Sequence, residues 1–156
     1  MSNSSTLDRH SVRRALGLVD ERYMQLDAGD DATVRAMAGV PVAVAPMIEH
    51  LRDLGNVVVR SVFVADRVRR VNNATELAVG YWIDRLSVIR PLEVHVATLR
   101  RPPAWPYLAP VPEERLYEIA RRVEEAGFRA KVFPTRWTVK SGRTHQDEAD
   151  PVMGCG

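Results

Sequence analysis

The sequence predicts an α/β protein with a parallel sheet, layered or barrel-like. Helical and strand-like periodicities alternate from residue 6 to residue 133 in the order α-β-α-β-α-β-α-β. The segment "NVVVRSVFVA" (56–65) is almost continuously apolar, the pattern of a strand buried in a parallel sheet. Each strand is separated from the next by a helix-length run, and such spacing requires right-handed crossovers between parallel strands.

The elements follow in order. "TLDRHSVRRALGLVD" (6–20) reads as a first helix and "RYMQLDAG" (22–29) as a short strand. "DAGDDA" then supplies a turn and an N-cap. From Asp31 the pattern is helical, with Val34, Met37 and Ala38 on one face. Gly39, Pro41 and Pro46 interrupt it before Met47, Ile48, Leu51 and Leu54 resume the stripe. Gly55 closes that helix ahead of the apolar strand. "NNATELAVGYWIDRLSVI" is the next helix, with Asn72 or Asn73 as its expected cap and Pro91 as its stop.

The strand at 92–99 alternates apolar and polar residues and runs into "RRPPAWPYLAP". The last helix is the most strongly marked. Pro112 stands near its first turn, Glu113 and Glu114 complement the dipole, and Leu116, Ile119, Ala120 and Val123 form one stripe. Gly127 ends it and "FRAKVF" (128–133) is a short strand. After Phe133 the sequence turns polar and aperiodic, so residues 134–156 are expected to be a disordered tail.

Composition narrows the function classes. With 156 residues, 46% hydrophobic and 27% charged, the chain can build one real core. A formal charge of +2 is no nucleic-acid-binding composition. No apolar run is long enough for a membrane span, and "MSNSSTLDRH" lacks a secretory pattern, so a cytoplasmic location is expected. The single cysteine, Cys155, excludes an internal disulfide. Glycine-rich phosphate loops, paired-histidine metal motifs and a nucleophile elbow are all missing from the sequence.

In parallel α/β folds, chemistry gathers at the carboxyl ends of strands. Those ends carry Gln25 and Asp27, then Asp66, Asn72 and Asn73, then His95, Thr98, Arg100 and Arg101. Alternation puts Gln25 with Asp27 on one face, and His95 with Ala97. Each group also has a structural reading. Asp27 can cap a turn, the two asparagines can cap a helix, and Arg60 and Ser61 can sit at a sheet edge. The arginines of "RRPP" can rest in water. Their concentration at one end of the sheet points instead to a polar cavity.

The succession "YMQLDAGD", "VVVRSVFVADRVRRVNN" and "LEVHVATLRRPPAWPYLAPVPEERLYEIARRVEEAG" resembles the C-terminal half of radical S-adenosylmethionine (radical SAM) proteins. The likeness covers residues 7–133 and is closest to the Fe–S oxidoreductase group that includes wyosine-forming tRNA enzymes. It rests most on "LDAGD", on the asparagine at 72–73, and on "TLRRPP" followed by "LAPVPEERL".

The resemblance implies a partial parallel βα barrel, a TIM-like fragment of about four βα units, beginning just before the family's fourth strand. It implies S-adenosylmethionine and a [4Fe–4S] cluster as the family's cofactors. Gln25, Asp27, Ser61, Phe63, His95 and Thr98 become candidate cofactor contacts, and Arg101 a contact to an anionic substrate group. Lysine is usual at the Gln25 position, which departs from any cationic role there. The CxxxCxxC segment is absent, so the cluster is not expected to bind this chain alone.

The expected function is therefore that of a barrel portion contributing the SAM and substrate side, without catalysis of its own. The alternative is a non-catalytic α/β binding or interaction subunit that completes a cluster-bearing partner. A half-barrel exposes strand 22–28 as an edge, so a cluster-bearing partner or self-association is expected. A tRNA partner, though compatible with the resemblance, finds no support in the charge.

Overall fold

Four strand runs pair side by side in the order in which the chain makes them. The computed structural model describes residues 2–3, 11, 22–66, 68, 71–104 and 107–136. In chain order the strands are β1 (Ser2–Asn3), β2 (Arg22–Gln25), β3 (Val57–Val62), β4 (Val64–Asp66), β5 (Val71–Asn72), β6 (Glu93–Ala97), β7 (Leu108–Pro110) and β8 (Ala130–Phe133). The helices are α1 (Asp31–Ala38), α2 (Val44–Leu54), α3 (Glu76–Ile89) and α4 (Glu113–Glu125).

The main sheet has five strands in the order β1-β2-β3-β6-β8, all parallel. A separate three-stranded antiparallel sheet has the order β5-β4-β7. Strand order that rises steadily with sequence, combined with right-handed crossovers, puts every crossover helix on the same face. The core agrees. Met24 and Leu26 of the first run, Val57, Val59 and Phe63 of the second, and Val94 and Val96 of the third pack against Ile48, Leu51, Trp82, Leu86, Leu116 and Ile119 from the helices. The other face of the sheet has no helix layer among the described residues.

Local chemistry sets the helix ends. Asp30 caps α1 by accepting the Thr33 N–H at 2.8 Å, and Gly39 closes it in a left-handed conformation. Asp31 accepts the Val44 N–H at 2.8 Å, so one short acidic run starts two helices. Pro46 falls in the first turn of α2, where a missing N–H costs nothing, so it begins this helix instead of interrupting it. The Arg22 guanidinium donates to Leu54 O and Gly55 O at the other end of α2.

Several expectations are corrected. Thr75, and neither Asn72 nor Asn73, caps α3, accepting the Ala78 N–H. Strand β3 lies inside the sheet between β2 and β6, so Arg60 and Ser61 are not at an edge. The outer side of β2 is paired over two residues by β1. The loop after β6 returns as β7 to pair with β4, which makes it part of a small sheet instead of a simple exit loop. The helix expected at 6–20 and the tail from 137 onward lie outside the described residues, apart from a single helical position at Ser11.

At Gly29 two stretches of backbone come close together. A Cβ built there would stand 2.4 Å from the backbone of Tyr81 and Trp82. The Gly29 carbonyl accepts from Arg85 Nε at 2.9 Å, which fixes α3 against the loop after β2. Replacing Gly29 by Ala should therefore destabilise the fold by about 1–3 kcal/mol, read as an earlier urea midpoint at an unchanged slope. A midpoint equal to the parent's would show that α3 does not touch this loop.

Candidate functional site: the open face and carboxyl ends of the parallel sheet

Strand alternation sorts the polar residues by face. Register aligns Gln25 with Arg60, Arg60 with His95, and His95 with Lys131, so one polar row crosses four strands. This row stands on the face without helices. Glu93 lies one pleat away on the same face, as do Tyr23, Val62 and Phe133. His95 sits between two rings, with centroids 5.7 Å from Tyr23 and 4.7 Å from Phe133. Its Nε2 lies 2.7 Å from Glu93 Oε1, and Lys131 Nζ lies 2.9 Å from the same oxygen. Lys131 first, then His95, holds the Glu93 carboxyl below its usual range.

Asp27 stands at the carboxyl end of β2. Its Oδ1 accepts the Val62 N–H at 2.8 Å, and its Oδ2 accepts from Gln25 Nε2. Burial pushes its pKa up, against the Val62 N–H, the Gln25 amide and the Arg60 charge, which favour the carboxylate. Gln25 and Asp27 share a cavity of about 360 Å³ with Met37, Val62, Leu99 and Leu108. A second cavity of about 380 Å³, on the Val34 and Met47 side of Met37, is also lined by Gln25 and Asp27. The arrangement is two carboxylates, Asp27 and Asp66, and an amide among apolar walls, suited to hydroxyl donors on a flat, apolar ligand.

Asp66, also buried, lines the cavity shared by Gln25 and Asp27, whereas Ser61, Phe63 and Thr98 fall on the other side of the sheet and Arg101 in solvent. Ser61 is fully buried toward the helices and donates to Leu26 O, where Trp82 Nε1 also donates at 3.1 Å. Phe63 is fully buried edge-on against Trp82, ring centroids 5.2 Å apart. Thr98 is buried, donates to Phe63 O at 2.7 Å and accepts the Val111 N–H at 2.9 Å. These three are parallel-strand ends tied to the helix layer. Arg101 is exposed beside Arg100 in a cleft of about 650 Å³ that also contains Arg60.

Asn73 does more than cap a turn. Its Oδ1 accepts the Val64 N–H at 2.8 Å, and its Nδ2 donates to Asp27 O at 2.8 Å and Val62 O at 2.9 Å. One buried carboxamide therefore fastens the ends of β2 and β3 where the main sheet passes into the small one. Arg60, Glu93 and Lys131 were not among the residues expected at a site. Arg60 carried a signal, as the only charge inside "VVVRSVFV".

No family model matches this sequence, and no curated protein matches it. Solved structures do resemble it. A radical SAM methyltransferase from Sphaerobacter thermophilus superposes with a TM-score of 0.64 at 15% identity, over 83% of this chain and 38% of that one. A domain of pyruvate-formate lyase-activating enzyme from Bacteroides vulgatus gives 0.62 at 15% identity, over 83% of this chain and 78% of the other. The chain thus shares its fold, an open parallel sheet with helices on one side, with parts of these proteins, and it spans about two fifths of the methyltransferase. No described helix is long and apolar enough to cross a membrane.

The residues present do not fit an iron–sulfur cluster. Such a cluster takes several thiolate ligands, and the sequence has one cysteine, Cys155, outside the described residues. Among the described residues, no three His, Cys, Asp or Glu side chains converge.

Two predictions follow from the hydrogen-bond geometry. Asn73→Ala leaves the Val64 N–H and two carbonyls without their partner and should cost about 3 kcal/mol in denaturant titration. Asp27 gives an unusual pH dependence. Its folded pKa lies above its unfolded one, so the native state binds more protons in the window between them, and its contribution to stability falls as pH rises through that window. Asp27→Asn keeps an acceptor for Val62 and should raise the melting temperature at neutral pH. The gain should vanish below the usual aspartate pKa, and a gain that persisted there would refute the burial account.

Proposed function

We propose that this chain forms the SAM and substrate side of a radical SAM-type barrel, with the cluster held by residues it does not itself supply. The observation that carries the reading is the face without helices: a polar row on a parallel sheet, ending in a cavity of about 360 Å³ over Gln25 and Asp27. The fold likeness supports it. So does the order of "LDAGD", the asparagine pair and "TLRRPP" in the sequence. Within this family, the finer resemblance is to the Fe–S oxidoreductases that include wyosine-forming enzymes, and it rests on those motifs alone.

S-adenosylmethionine is the ligand that the cavity fits by its chemistry. Asp27 and Gln25 present an acceptor and an amide to ribose hydroxyls, and Val62, Leu99 and Leu108 give an apolar wall to a purine. His95, clasped by Tyr23 and Phe133, lines the row beyond. Arg101 faces an anionic group of the substrate. Ser61, Phe63 and Thr98 act on the ligand through the backbone they hold, because their side chains are spent on the core. S-adenosylmethionine would bring the family's radical chemistry only beside a cluster held by other residues, and Asp27, Gln25 and the wall of Val62, Leu99 and Leu108 would hold it here. This chain binds and orients it, and does not generate the radical unaided. The site is completed, on this reading, by a cytoplasmic, cluster-bearing partner segment on the open face.

Calorimetry with S-adenosylmethionine tests the reading. Without a cluster to hold the amino acid end, binding should be weak, with Kd in about the millimolar range. Leu99→Trp, which fills the apolar wall, should weaken it about tenfold or more. Absence of any heat of binding, or an unchanged affinity in the filled variant, would contradict the assignment of this cavity.

A further inference from the structure

The loop after β6 places Arg100 and Arg101 at the rim of a cleft of about 650 Å³ whose floor includes Arg60. Val62, Leu99 and the Pro102–Pro103 pair form its walls, and no carboxylate is among its lining residues. A smaller cavity of about 270 Å³ continues from it past Arg60 and Arg100 to His95, Tyr23 and Phe133. Arg100 and Arg101 are exposed and have no ion-pair partner among the described residues.

The described ends of the loop are tied to the rest of the fold. Thr98 Oγ1 anchors its start to Phe63 O and binds the Val111 N–H beyond its end. Pairing of β7 with β4 holds its return limb. Pro102 restricts Arg101 to extended backbone, which lowers the entropy lost when the guanidinium is fixed.

We infer that this cleft binds the phosphate group of a small substrate, with Arg60, Arg100 and Arg101 as its ligands. A carboxylate presents two oxygens and is satisfied by one guanidinium fork. A phosphate monoester presents three oxygens and nearly two charges at neutral pH, and is matched by several forks around one cleft. Apolar walls raise the value of each contact by excluding water. The inference goes beyond the preceding reading, since it names a substrate group and needs no radical step.

The test is calorimetry on the full 156-residue chain at low salt, with phenyl phosphate and benzoate as probes that share one ring. Phenyl phosphate should bind about tenfold or more tightly than benzoate near pH 8, and lose most of that advantage near pH 5, as its second ionisation is reversed. The double variant Arg100→Gln/Arg101→Gln, altered only at exposed side chains, should lose about tenfold or more. Arg52→Gln/Arg121→Gln removes the same charge from exposed positions elsewhere and should change affinity less than about twofold.

Equal affinities for the two probes, equal losses in the two double variants, or no phosphate binding at about 10 mM would each overturn the inference. S-adenosylmethionine titrated into the same sample keeps the two proposals apart. Phosphate binding without it leaves this site standing and removes the cofactor reading, and the reverse does the opposite.

Discussion

Crossover handedness is the constraint on which the rest of the molecule depends. Because β2, β3, β6 and β8 neighbour one another in chain order, right-handed connections stack α2, α3 and α4 on one side, with α1 at the carboxyl ends of the strands. Alternate residues of the same strands must then serve two environments. Met24, Val59 and Val94 meet helices, whereas Gln25, Arg60 and His95 project from the other surface. In a doubly wound sheet both surfaces would be covered, and a charged row at mid-sheet would carry an uncompensated desolvation cost. Here the row is tolerated because its face is polar and open.

The loop from Leu26 to Asp31 shows how much of a short motif is spent on construction. Leu26 O accepts from Ser61 and Trp82, Asp27 O from Asn73, and Gly29 O from Arg85. Asp30 and Asp31 start α1 and α2. Only the Asp27 carboxyl and the Gln25 amide are left to face the cavity, and they already bond to each other. A motif that looks catalytic by its density of acids is therefore mainly a junction. The same economy holds for Asn73, whose carboxamide serves three backbone groups in place of a ligand.

The helices from Asp31 onward and the four parallel strands were legible because their periodicities are regular and their ends are marked, as at Gly39, Gly55 and Gly127. The small sheet was not. Strands β4, β5 and β7 are two or three residues long, too short for any periodicity, and β7 ends on a proline. At the site, alternation within a strand identified the shared face of Gln25 and Asp27, but relating one strand to the next needs register. "VVVRSVFV" is apolar on both faces, so nothing in it says whether residue 60 or residue 61 looks toward Gln25. Pairing of Gln25 with Arg60 decides it, and turns Ser61 and Phe63 toward the helices. Asp30 caps α1 as the acidic turn predicts, whereas Thr75 in place of Asn73 follows from which side-chain oxygen reaches an N–H three residues ahead.

The account stands or falls on where an adenosyl ligand touches this sheet. Backbone amide shifts recorded by NMR, with and without S-adenosylhomocysteine, locate that contact residue by residue. Perturbations grouped at Gln25–Asp27, Val62–Val64 and Thr98–Arg100, with α4 left unmoved, are the expected result. Shifts clustered on the helix layer around Leu116 and Val123, or none at all, would contradict a ligand site on the open face.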